Sequence, residues 1–174
     1  MEEAQKCAER MNKLVGKYVV RPSKWSGVVA VNVRDFNAKA WNCDILISTT
    51  DCPDIAILHE MLHSCSISYY SPEIYFENQA IEEAAVELLA EEIAKKEQVE
   101  LIKSGYDDWV NLLREFRQKI KLYDSDLEFA IALFEEAPEE RVAWLNEKAL
   151  KFVNNKSGSM GDFFDLTKPL EKIS

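Results

Sequence analysis

Residues 57–63 read Ile57-Leu58-His59-Glu60-Met61-Leu62-His63 and contain the only two histidines of the 174-residue chain. On a helix, residues four apart share a face, so this H-E-x-x-H run presents two imidazole nitrogens to one metal ion. Glu60 follows the first imidazole, where its carboxylate reaches a metal-bound water without being a ligand. A chance string or a pair of structural imidazoles is the plain alternative. The apolar helix around the motif, and a second helix bearing glutamates beyond it, weigh against that alternative.

A catalytic tetrahedral zinc site needs three protein ligands and an open position for water, so two histidines leave one ligand to be found. Twenty residues beyond His63 lies Glu83, within Ala80-Ile81-Glu82-Glu83-Ala84-Ala85-Val86-Glu87-Leu88-Leu89-Ala90. A second helix that returns one carboxylate to the metal is the expected completion. In this combination the chain resembles the zincin metallopeptidases and, within them, the gluzincins. There H-E-x-x-H is followed on a later helix by a ligating Glu, commonly after Asn, with an acidic residue four positions on. The resemblance implies a zinc ion (Zn2+) held by His59, His63 and Glu83, with Glu87 accepting a hydrogen bond from the far nitrogen of His59. Glu82 stands where Asn is usual and Ala84 where Gly is frequent, so the sequence leaves Glu82 and Glu83 both open as the ligand. A helix turns about 100° per residue, so only one of the two faces a given metal, and Glu83 is the one that shares a face with Glu87.

Length and a 47% hydrophobic content suit one domain, residues 1–174, with a sizeable core. Within it the reading places an N-terminal lobe over about 1–66, a helical C-terminal lobe over about 67–156 and a tail over 157–174. With 21 basic and 31 acidic residues the net charge is −10, which argues against a nucleic acid or an anionic membrane as partner. The first residues are acidic and carry no apolar stretch of signal-peptide length, and no segment approaches a membrane span. A cytoplasmic location is the expectation. Cys7, Cys43, Cys52 and Cys65 form no C-x-x-C pair and read as reduced thiols.

Apolar residues recur at helical spacing from Glu2 to about Leu14, with Gly16 as a stop. Lys17 to Val20, Val28 to Val33 and Ala40 to Ser48 read as strands, with a turn over Arg34 to Asn37. The segment Thr49 to Asp54 starts the H-E-x-x-H helix, which runs from about Pro53 to Ser66. After a break over Ser64 to Pro72, the Glu83 helix extends from about Glu77 to Glu97. Further helices are expected over Asp107 to Leu122, Ser125 to Glu136 and Pro138 to about Asn154. Core positions are Trp109, Leu112, Leu113, Phe116 and Ile120 in the first of these, and Val142, Leu145, Leu150 and Val153 in the last. Beyond a Gly/Ser linker the tail carries Phe163 and Phe164 and is expected to be disordered or to lie over the protein's own apolar surface.

The resulting fold class is α+β and zincin-like, with a small N-terminal sheet, the H-E-x-x-H helix and a mainly helical C-terminal lobe. By the resemblance, Asp44 to Ser48 would be an edge strand that holds an extended substrate; an interior strand paired on both sides is equally compatible with the sequence. The activity expected is hydrolysis of a peptide or protein substrate, with Glu60 as the general base. Gluzincins add a Tyr or His that steadies the oxyanion. Without a third histidine the candidates are Tyr69, Tyr70, Tyr75, Tyr106 and Tyr123, and Tyr123 is taken first because it opens a loop in the C-terminal lobe. The rival reading is a zinc-containing binding or assembly protein of phage or prophage type, without turnover.

Overall fold

The structure, a computed structural model, describes residues 1–31, 38–41, 44–48, 52–66, 71–156 and 158–174. It is predominantly helical with a small sheet, broadly α+β. Two compact units are present: Met1–Tyr70 with Ala90–Ile102, and Ser71–Leu89 with Lys103–Ser174. The second unit thus takes in the tail, and residues 90–102 belong with the N-terminal segment. Among the described residues no helix is long and apolar enough to cross a membrane.

In the first unit, α1 (Glu2–Val15) buries Ala4, Ala8, Met11, Leu14 and Val15, a helical stripe, and packs on α2 (Asp54–His63). Glu2 and Glu3 in its first turn and Lys13 in its last complement the helix dipole. The chain beyond Gly16 is not the strand expected for Lys17–Val20. Lys17 N–H donates to Leu14 O, and the amides of Tyr18 and Val19 both donate to Val15 O, so these groups close turns on the helix end and are not offered to a sheet. Tyr18 instead donates its hydroxyl to Glu97 at 2.6 Å.

The sheet has the order β1-β3-β2, with β1 (Val29–Val31) parallel and β2 (Ala38–Trp41) antiparallel to β3 (Asp44–Ile47). Gly27 precedes β1 at φ +90°, a left-handed conformation that glycine adopts without strain. Gln5 clamps this turn, donating to Gly27 O at 2.8 Å and accepting from Val29 N at 3.3 Å. The single strand expected over Ala40–Ser48 is two strands, since Trp41 pairs with Asp44 across an antiparallel register. This pairing also overturns the edge-strand expectation for Asp44–Ser48. β3 is central, hydrogen-bonded on both sides, and buries Ile45 and Ile47 in alternation with the half-buried Asp44 and Leu46. The turn expected over Arg34–Asn37 lies outside the described residues, as do Cys43 and Thr49–Asp51.

In the second unit Ser71 caps α3 (Pro72–Glu77), accepting from Ile74 N, with Pro72 in the first turn. The helix expected from Glu77 therefore begins as two: Asn78, at φ −121°, separates α3 from α4 (Gln79–Glu97), which belongs to the second unit as far as Leu89 and to the first from Ala90. From Ile81 to Ala90 every residue of α4 is buried. Next come α5 (Asp107–Ile120), α6 (Asp126–Glu135) and, after a 3-10 turn over Pro138–Glu140, α7 (Arg141–Asn155). The α5 core face is Val110, Leu113, Phe116 and Ile120, leaving Trp109 and Leu112 half-buried. On α7 the buried stripe is Arg141, Leu145, Ala149 and Val153, so Leu145 and Val153 lie inside while Val142 is half-buried and Leu150 is exposed.

The tail is ordered in the second unit. Ser159 and Asp162 form a capping box on α8 (Met160–Thr167), a 3-10 turn follows over Lys168–Lys172, and Leu166, Leu170 and Ile173 are buried. α8 packs on α7 and the final turn on α5, while Phe164 stays exposed. Three apolar residues at helical spacing supply the burial that a disordered tail would forgo.

Candidate metal centre

Helix α2 is held by its apolar positions. Ile55, Ile57, Leu58, Met61 and Leu62 are all buried, and the helix packs on α1 and the sheet. Its C-terminal end is tied down where Ser64 Oγ donates to Met61 O at 2.6 Å and meets Ser23 Oγ at 2.7 Å, while Ser64 O accepts from Lys24 N at 3.0 Å. At the start, Asp54 accepts from the Cys7 thiol at 2.9 Å and pairs with Arg10. A helix anchored at both ends in this way presents its side chains at fixed angles.

His59 and His63 are 7% and 8% exposed, and their Nε2 atoms lie 3.1 Å apart. Two nitrogens each at ~2.05 Å from one tetrahedral zinc would be separated by roughly 3.4 Å, so the imidazoles already stand at close to the separation of ligands sharing an ion. Together with a carboxylate oxygen of Glu83 they form a group whose ligand atoms all lie within 4.8 Å of one another. Two buried imidazoles and a buried carboxylate are a donor set that could hold a metal ion. Glu60, beside the first imidazole, is half-buried.

The two adjacent glutamates have different surroundings. Glu82 is fully buried and ion-paired with Arg141, itself fully buried. Glu83, 4% exposed, accepts a hydrogen bond from the Tyr75 hydroxyl. Glu87, one turn on from Glu83, is also buried. Of the two carboxylates left open by the sequence, Glu83 is the one grouped with the imidazoles.

Tyr123, the first candidate for the oxyanion role, lies in an aromatic cluster, its ring 5.6 Å from that of Phe129 and 6.1 Å from that of Trp144, with its carbonyl accepting from Arg117 at 2.9 Å. Burial, and secondarily the nearby Glu136, raises its phenol pKa. Tyr75 donates its hydroxyl to Glu83 of this group, and burial followed by that bond raises its pKa. Tyr106 stacks on Trp109 at 5.6 Å, and Tyr69 and Tyr70 lie outside the described residues. Sequence reasoning missed Arg141 altogether. Its signal, an arginine in register with Leu145, Ala149 and Val153, is visible only once α7's inner face is known.

A separate cavity of about 340 Å3 in the first unit is lined by Cys7, Cys52, Asp54, Ile57 and Glu100, among others. Burial is the main force pushing the Cys7 thiol up to about 12 and that of Cys52 up to about 11; Asp54, bonded to Cys7, and the charges of Glu60 and Asp54 near Cys52 add to it. Cys7, Cys52 and Cys65 are free cysteines, and Cys65 is buried. No protein-family model, curated protein or solved structure matches this chain.

Proposed function

We propose that the chain is a zinc-dependent peptidase of gluzincin type, with a zincin-like arrangement of strand, H-E-x-x-H helix and second glutamate-bearing helix. The observation that carries this reading is the convergence of His59, His63 and Glu83, with Glu60 adjacent to the first of them in the chain. Two nitrogens and one oxygen match the donor set of catalytic zinc and leave a coordination position for water. Zinc held there would supply Lewis-acid chemistry, acidifying a water and polarising the scissile carbonyl.

The remaining chemistry belongs to the chain. Glu60, outside the ligand set, takes the proton of the attacking water and returns it to the departing amine. Tyr75 fixes one oxygen of Glu83 through its hydroxyl and so orients the ligating carboxylate. This contact makes Tyr75, ahead of Tyr123, the tyrosine to test. The substrate is a peptide or protein.

The test is cleavage of a peptide library by the purified protein, by chelator-treated protein and after zinc is restored, alongside Glu60→Gln. The expected result is chelator-sensitive, zinc-restored cleavage that Glu60→Gln lowers at least about 100-fold while zinc stays bound. Zinc binding without cleavage, with unfolding on chelation, would favour the binding or assembly reading.

A further inference from the structure

We propose that Arg141 is a positioning residue that selects Glu83 over its neighbour Glu82 as the metal ligand, an inference that rests on the metal-centre reading above. Consecutive helical side chains point about 100° apart, so a helix bearing Glu82-Glu83 has two rotational settings in which a carboxylate faces a given point. Arg141 removes one of them. Its Nη1 pairs with Glu82 Oε2, its Nε donates to Leu133 O at 3.2 Å, its Nη2 donates to Phe134 O at 3.1 Å, and its guanidinium lies 5.5 Å from the centre of the Phe134 ring. Both members of the pair are fully buried.

The carbonyls of Leu133 and Phe134 belong to the last turn of α6, where the negative end of the helix dipole attracts a cation. One planar fork therefore joins α7, the end of α6 and α4, and Glu82 is committed to it. A buried carboxylate without this partner carries a large desolvation cost, so the helix setting that would swing Glu82 toward the imidazoles is disfavoured. Glu83, one position on, is left to Tyr75 and the metal group. If the setting with Glu83 inward were only fractionally populated, apparent metal affinity would fall by that fraction.

The experiment measures zinc affinity by competition with a chromophoric chelator, together with the thermal midpoint of the metal-free protein. It uses the full chain, Arg141→Met, Arg141→Lys and Leu145→Ala. The lysine keeps the charge and loses the fork, which guards against a methionine variant that does not fold. Leu145→Ala removes a fully buried side chain from the same face of α7 and controls for general loss of stability. The expected result is a zinc affinity lowered about tenfold or more in folded Arg141→Lys, and further in Arg141→Met, with Leu145→Ala lowering the midpoint and leaving affinity within about threefold. Wild-type zinc affinity in folded Arg141→Lys, or an equal loss in Leu145→Ala, would overturn the selector role while leaving the metal centre standing. A wild-type chain that binds no zinc would overturn the metal reading and this inference with it.

Discussion

Tyr75 donates its phenolic hydrogen bond to the carboxylate of Glu83 from a separate short helix, α3, eight residues earlier in the chain. A ligating carboxylate held at one oxygen keeps the other aimed at the ion, as the outer partners of metal ligands do. Tyr75→Phe should lower zinc affinity by about 10-fold or more and peptide turnover with it, whereas Tyr123→Phe, which leaves an aromatic cluster largely intact, should change neither by more than about twofold. Titration of both variants with zinc checks this; the reverse ranking would return the role to Tyr123.

The glutamates of α4 should separate by what each loss does. Glu83→Ala should abolish tight zinc binding, and Glu87→Ala should weaken it by roughly 10- to 100-fold if it supports an imidazole. Glu82→Ala should leave zinc binding less affected than Glu83→Ala does but should destabilise the fold, by about 3–5 kcal/mol, because it strands a buried guanidinium. Denaturant unfolding of the metal-free variants measures the difference. A stable, weakly binding Glu82→Ala protein would mean that Glu82 is a ligand.

Much of the helical pattern was legible because apolar spacing is a local property: α1, α5 and α6 lie within a few residues of their expected bounds. The shared face of His59 and His63 was legible for a related reason, since the 3.6-residue repeat puts residues four apart on one side of a helix, whereas Glu83 entered through the resemblance to the gluzincin pattern. What escaped depends on contacts distant in sequence. Lys17–Val20 looks β-branched and aromatic, yet the amides of Lys17, Tyr18 and Val19 are consumed by the end of α1. The strand over 40–48 could not be split from its composition, because the antiparallel pairing of Trp41 with Asp44 is a contact that composition does not reveal. Arg141 reads as a surface charge until a carboxylate 59 positions away is seen to meet it.

The tail is expected to stabilise the second unit. Leu170 is 2% exposed, so Leu170→Ala should cost about 2–5 kcal/mol, and removal of residues 156–174 should expose the α7 and α5 faces they cover. A thermal melt checks both. Truncation that raises peptidase activity without loss of stability would restore the view of the tail as a cover over the site.

The thiols supply a pH signature. Cys7, held to about 12 against an ordinary 9.0, keeps its proton more tightly when folded than when unfolded. Its contribution to stability is therefore fully present below pH 9 and is lost as pH rises from about 9 to 12. The thiolate is the reactive form, so at about pH 8.5 iodoacetamide should modify Cys7 and Cys52 at least about tenfold more slowly in the native protein than in urea. Peptide mapping by mass spectrometry reads the two sites separately; equal rates in both states would contradict the shifted values.

The most direct measurement of the central claim is the zinc content of the chain after equilibration with zinc and removal of the excess. Two imidazoles and a carboxylate predict about one tightly held zinc per wild-type chain and essentially none in His59→Ala or His63→Ala. A wild-type protein that takes up no zinc, or histidine variants that retain it in full, would contradict the account.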